Sequence, residues 1–243
     1  MISSCVTISL VDAARGGPFV FWDDLEGSCR QAKAIGFDAV ELFTAGPDAF
    51  DPQALKQLLD QLQLELAALG TGAGWLVHQL QLCDPDAGRR AAARDFIRAM
   101  IDVAADFGAF AIIGSMQGRH AGRVDQATGR GYLCDAFNEL GPWAAQYGVP
   151  LVYEPLNRYE SNLVNTLGQG VQLLESLETD NVRLLADLFH MNIEESDLAA
   201  AVREAGRHLG HVHFVDSNRR AAGMGHLHFP PIVAALGAID YQG

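Results

Sequence analysis

A single α/β barrel of the (β/α)8 kind is the fold this sequence predicts, and three observations predict it. Seven short, continuously apolar runs alternate with amphipathic helical stretches from one end of the chain to the other. Strands of a parallel sheet covered by helices are buried on both faces, so they read as unbroken Val, Leu, Ile and Phe. Acids and imidazoles then stand at or just past the ends of three of the later runs, where such a barrel opens to solvent. With 243 residues, 49% of them hydrophobic, the chain can fill one barrel core. No linker, low-complexity segment or composition shift divides it.

Strands are expected at 3–10 (SCVTISLV), 38–44 (DAVELFT), 64–70 (LELAALG), 110–116 (FAIIGSM), 149–155 (VPLVYEP), 182–188 (VRLLADL) and 210–216 (GHVHFVD). Helices are expected near 23–35, 52–63, 87–107, 129–147, 166–178, 194–208 and 229–238. Asp51-Pro52 puts proline at a first helical position, and Asp23 and Thr166 are candidate N-caps. Gly36, Gly108 and Gly148 each stop a helix just before the next strand. Right-handed crossovers join such units into a parallel sheet. The series ends one strand short, because Gly243 falls where an eighth strand should begin. The expectation is one domain over 1–243, a barrel lacking its eighth strand and incomplete at its C-terminus.

Composition narrows the function. A net charge of −13 argues against a nucleic-acid partner, since phosphate binding wants a basic face. It tolerates a bound cation. Cys5, Cys29, Cys83 and Cys134 are widely spaced with no CxxC pair, so neither a disulfide scaffold nor a thiolate zinc site is expected. The opening MISSCVTISLVD lacks a basic leader, and no run approaches the roughly 18 apolar residues of a membrane span. A cytoplasmic protein that meets no membrane is the expectation.

The chemistry lies between Glu154 and Arg219. Glu154 follows LVY, and Asp187 follows LLA. An unpaired carboxylate buried at either place would shift to its neutral form, and a cation removes that penalty. Glu160 lies in the loop beyond Glu154, beside Arg158, and an ordinary surface pair between those two carries about half the weight. His190 stands three residues past Asp187, where a hydrogen-bonded structural histidine competes with a functional one. In HVHFVD, His211 and His213 share one side of a strand; His213 is nearer the open end and His211 reads as the interior, structural residue. Arg219 offers a planar donor fork to a substrate oxygen. Two carboxylates and an imidazole suit a divalent cation such as Mn²⁺, Mg²⁺, Co²⁺ or Zn²⁺. In the loops GTGAGW (70–75) and GSMQGR (114–119), Trp75 is a candidate wall for a sugar face, and Gln117 and Arg119 are candidate anion or hydroxyl contacts.

The segments EPLNRYE (154–160), DLFHMNIEE (187–195), HVHFVDSNR (211–219) and GMGHLHF (223–229) resemble the sugar isomerase/epimerase superfamily with a xylose-isomerase-like TIM barrel. The look is closest to the D-tagatose and D-psicose 3-epimerases and related keto-sugar epimerases. The resemblance implies metal ligands at Glu154, Asp187 and His213, with Glu154 also catalytic, and substrate-oxygen contacts at Glu160, His190 and Arg219. It implies a fourth ligand and second acid/base, a glutamate about five residues past Gly243. It implies one divalent cation, a small-molecule sugar substrate, epimerisation at C3 through a cis-enediolate, and a homodimer or homotetramer. An aldose–ketose isomerase shares the same enediolate. A keto-inositol dehydratase on the same barrel is the alternative. An abasic-site endonuclease wants more histidines and a basic track, and a non-catalytic binding protein would not retain the ligand positions.

Overall fold

The structure, a computed structural model, describes residues 2–243. Each predicted apolar run forms a strand: β1 (Cys5–Ser9), β3 (Ala39–Phe43), β4 (Glu65–Gly70), β5 (Phe110–Ile113), β6 (Leu151–Tyr153), β7 (Val182–Asp187) and β8 (Leu209–His213). An unpredicted two-residue strand, β2 (Phe21–Trp22), pairs with Ile8 and Ser9 of β1. The helices are α1 (Leu25–Ile35), α2 (Pro52–Leu62), α3 (Ala73–Leu76), α4 (Ala87–Ala105) and α5 (Gln126–Ala145). They continue with α6 (Leu167–Glu175), α7 (Leu188–Glu194), α8 (Leu198–Ala205) and α9 (Phe229–Ala238).

All neighbouring strands are parallel, in the order β2-β1-β3-β4-β5-β6-β7-β8. In a flat sheet β3 and β8 would stand five strand spacings apart, roughly 24 Å. Instead, Glu41 of β3 lies 3.3 Å from both His211 and His213 of β8. The sheet is therefore curled as in a TIM barrel, with β2 and β8 as its two edges among the described residues.

Outside the curl, two apolar layers hold helices to strands. Ile8, Val40, Leu42 and Leu69 pack with Cys29, Leu55 and Leu59 in one. Leu151, Tyr153 and Leu184 pack with Leu133, Phe137, Leu173 and Val202 in the other. Inside the curl, Ala68, Ile112, Val152 and Leu185, with Phe110 against them, form a small apolar plug. The polar strand ends sit above that plug, so the interior is solid at its middle and chemical at its mouth.

Local signals behave as their chemistry demands. Asp51 caps α2 ahead of Pro52, Thr166 caps α6, and Gly36, Gly108 and Gly148 all take positive φ. Three boundaries differ from expectation. Asp24, not Asp23, caps α1, because Asp23 turns the chain at φ 62. Asp125 starts α5 at Gln126, three residues early, and the helix expected over 194–208 is α8 followed by a 3-10 turn at Gly206–His208. Beyond these boundaries, an unpredicted helix, α7, shapes the site.

Candidate active site

Glu154 extends β6, its N–H donating to the Ile113 carbonyl at 2.9 Å, and the residue is 9% exposed. Gly114 lets it stand there: a Cβ on that glycine would lie 2.5 Å from Glu154 Oε2. Gln117 fixes the same corner from behind, donating to the carbonyls of Gly114 and Glu154 while accepting from the Tyr153 and Ser161 hydroxyls.

Asp187 ends β7 and caps α7. Its Oδ1 accepts from the N–H groups of Phe189 and His190, at 2.8 and 3.1 Å, which leaves Oδ2 free to face the opening. His190 is thus held on the first turn of a short helix and not on the loop predicted from sequence. Its Nδ1 receives the Asn157 backbone N–H at 3.3 Å and lies 2.7 Å from Asn157 Nδ2. Both partners are donors, so Nδ1 is the acceptor and the ring proton sits on Nε2. That Nε2–H is aimed into the opening, 3.7 Å from Glu154 Oε1.

His213 ends β8 with Nδ1 at 3.3 Å from Asp187 Oδ2 and 3.7 Å from Glu154 Oε1. Beyond it Asp216 organises the loop, accepting from the backbone N–H groups of Ser217, Gly223 and Leu227 at 2.7, 2.9 and 3.1 Å. Burial raises the Asp216 pKa, but these N–H groups outweigh it and hold the carboxyl below the usual range. Arg219 leaves this loop at φ 62, donates to Glu160 Oε1 at 3.1 Å and lies over the Phe189 ring at 4.9 Å. The six predicted residues converge on one opening. Arg158 pairs with Glu194 instead, at 2.9 Å, so the Arg158–Glu160 surface pair that competed with a functional Glu160 does not form.

Electrostatically the site is short of positive charge. Burial pushes the His213 pKa down, yet Glu41 and hydrogen bonds with Asp187, Glu154 and Glu41 carry it well above its ordinary value. Asp187 is lowered, since its bond to His213 and the nearby His190 overcome its burial. In effect a proton on His213 stands in for a cation. The donor set fits one: Glu154, Asp187 and His190 can bring ligand atoms within 4.8 Å of one another, and His213 Nδ1 faces the same two carboxylates. Of the two imidazoles, His213 turns Nδ1 toward both carboxylates, where a cation can replace the proton they hold, whereas the inward Nε2–H of His190 is fixed by the donors on its Nδ1. Glu154, Asp187 and His213 are therefore the residues that could hold a divalent cation.

One expectation needs correction: Gln117 is fully buried in the hydrogen bonds above and is no substrate contact. Arg119 is exposed and donates to the Tyr159 carbonyl at 2.8 Å. The sequence reading missed Glu41 and Asn157. Glu41 was visible as an acid inside the apolar run DAVELFT; Asn157 carried no signal beyond its place in EPLNRYE.

A family model for xylose-isomerase-like TIM barrels matches residues 29–243. The chain belongs to this family. Relatives of this barrel include an L-ribulose 3-epimerase from Methylomonas sp., 31% identical over 94% of the chain and 81% of that protein. A ketose 3-epimerase from Arthrobacter globiformis is also 31% identical, over 90% of the chain and 76% of its own length. Among solved structures, a D-allulose 3-epimerase from Methylomonas sp. in complex with D-allulose superposes with a TM-score of 0.82 at 28% identity, covering 99% of this barrel and 82% of that chain. These relatives are sugar epimerases, of the isomerase class, and the barrel shares their fold across nearly its full length.

Proposed function

We propose that this chain is a divalent-metal-dependent ketose 3-epimerase. The observation that carries the reading is the convergence of three successive strand ends: His213 Nδ1 faces Asp187 at 3.3 Å and Glu154 at 3.7 Å, across the opening from His190 and Arg219. The epimerase names of its relatives support C3 as the reacting carbon.

In this reading Glu154, Asp187 and His213 hold the cation, whose positive charge offsets the charge that develops on the substrate oxygens. Glu154 removes the proton from C3, and the substrate passes through its cis-enediolate. His190 donates its Nε2–H to a substrate oxygen. Arg219, steered by Glu160 and flattened on Phe189, supplies two further donors. Return of a proton to the opposite face takes a second carboxylate. Among the described residues no helix is long and apolar enough to cross a membrane, and a homodimer or homotetramer in the cytoplasm is part of the same proposal.

The test is solvent exchange. With Mn²⁺ and a panel of ketoses in deuterated water, label should enter C3, and Glu154→Gln should reduce its entry roughly 10²–10⁴-fold. Label confined to C1 or C2 would replace the epimerase by an isomerase.

A further inference from the structure

Glu41 lies in the middle of β3, 4% exposed, and has no part in the chemistry above. Its two oxygens are divided. Oε1 accepts from the Thr7 hydroxyl at 3.2 Å, and Oε2 lies 3.3 Å from Nε2 of both His211 and His213. An ionised carboxylate only accepts, so each imidazole turns an Nε2–H toward it. For His213 this has a chemical result. Asp187 Oδ2, also 3.3 Å away, holds a proton on Nδ1 in the same way, so when a cation replaces that proton the Nε2–H kept by Glu41 leaves the lone pair on Nδ1, the atom that faces Asp187 and Glu154.

We infer that Glu41 is a positioning residue, which sets the tautomer and ring orientation of His213 so that Nδ1 is the cation-binding atom. Thr7 and His211 hold Glu41 in turn. A carboxylate behind a metal-bound histidine is a general device for raising ligand basicity and fixing ring angle. The inference rests on the metal-dependent reading above.

A competing use of the same residues fails on chemistry. Cys5, Glu41 and His211 lie close enough together to hold an ion of their own. Both Glu41 oxygens are already engaged, however, and burial together with the Glu41 charge pushes the Cys5 thiol up to about 12. A metal wants the thiolate. The lower cluster is support for the upper one.

The test begins with the unaltered protein. In Zn²⁺-loaded protein labelled with ¹⁵N-histidine, long-range ¹H–¹⁵N correlations should find His213 protonated on Nε2 and metallated on Nδ1. Metal on Nε2 overturns the inference. Calorimetric titration with Mn²⁺ alone then compares wild type with Glu41→Gln, each checked for folding by circular dichroism. The variant should bind roughly 10–100-fold more weakly, and its His213 ring nitrogens should shift. A folded Glu41→Gln protein that binds Mn²⁺ as tightly as wild type overturns the role of Glu41 and leaves the epimerase reading standing. Wild type that binds no divalent cation overturns both. Should Glu41→Gln not fold, the tautomer in the unaltered protein decides.

Discussion

The first four strands and the last four end at the same mouth with different materials. At the ends of β1 to β4 the lining is aromatic: Phe43 stacks on Phe19 with centroids 5.0 Å apart, and Phe19 meets Trp22 edge-on at 5.5 Å. Gly70 and Gly72 are small because the Phe43 ring lies against them. At the ends of β6 to β8 the lining is acid and imidazole, and each group has a dedicated tie. Gln117 holds the Glu154 backbone, Asn157 holds His190, two amides hold Asp187, and three or more hold Asp216. Packing places most of the aromatic wall, with one added tie from Trp22 Nε1–H to the Phe19 carbonyl at 3.1 Å. A reactive strand end needs an outer set of hydrogen bonds, because a buried polar group left free is costly and is also free to point the wrong way.

This contrast can be broken experimentally. The largest effect is expected from Asp187→Asn, which keeps an oxygen to cap α7 and loses the charge that faces His213. Helix content should survive, while Mn²⁺ binding measured by calorimetry falls by more than the roughly 100-fold typical of an outer-shell change. Unchanged binding would move the chemistry out of the second half. Next comes Gly114→Ala, whose Cβ at 2.5 Å from Oε2 must displace Glu154. A misplacement near 1 Å costs about 10²-fold in turnover. Gly72→Ala, whose Cβ would meet the Ser115 hydroxyl at 2.9 Å and the Phe43 ring at 3.0 Å but no carboxylate, should cost turnover far less in the same steady-state assay.

A pH series sharpens the comparison further. The His213 proton, held by Glu41, Asp187 and Glu154, must leave before Nδ1 can bind a cation. Mn²⁺ affinity should keep rising as pH climbs past the ordinary imidazole range and through the raised His213 pKa, with proton release detectable by calorimetry in two buffers of different ionisation enthalpy. In the metal-free protein the sign is opposite. His213 is raised, so its stabilisation is complete below the ordinary imidazole pKa and is lost as pH climbs through the raised one. The smallest effect belongs far from the mouth: Gly131→Ala, exposed in α5 with open space around it, should add about 0.5–1 kcal/mol to unfolding free energy and leave Mn²⁺ binding untouched.

The barrel and its mouth were legible because their signals are contrasts of type. Glu154, Asp187 and His213 each interrupt or end an apolar run, and such breaks survive in one dimension. Helix α7 did not show, since seven residues give too little periodicity, and its start signal is the same Asp187 that reads as a ligand. Glu41 is the same kind of break, but its role did not show, because its partners His211 and His213 are 170 and 172 residues away, a proximity that only the curl of the sheet creates. Gln117 misled for the opposite reason. A polar side chain in a glycine-rich loop suggests a ligand, but here the loop folds back and buries it.

The divided carboxylate of Asp187 constrains how this position can vary through descent. One oxygen begins a helix and the other faces the charge-poor mouth, so a replacement must satisfy a backbone and an electrostatic demand together. Asparagine, serine and threonine meet the first alone. Glutamate carries the charge on a stem too long to cap with the same turn. Position 187 thereby answers to two structural demands at once, and the placement of His190 is tied to it, because whatever loosens the helix start also releases the imidazole.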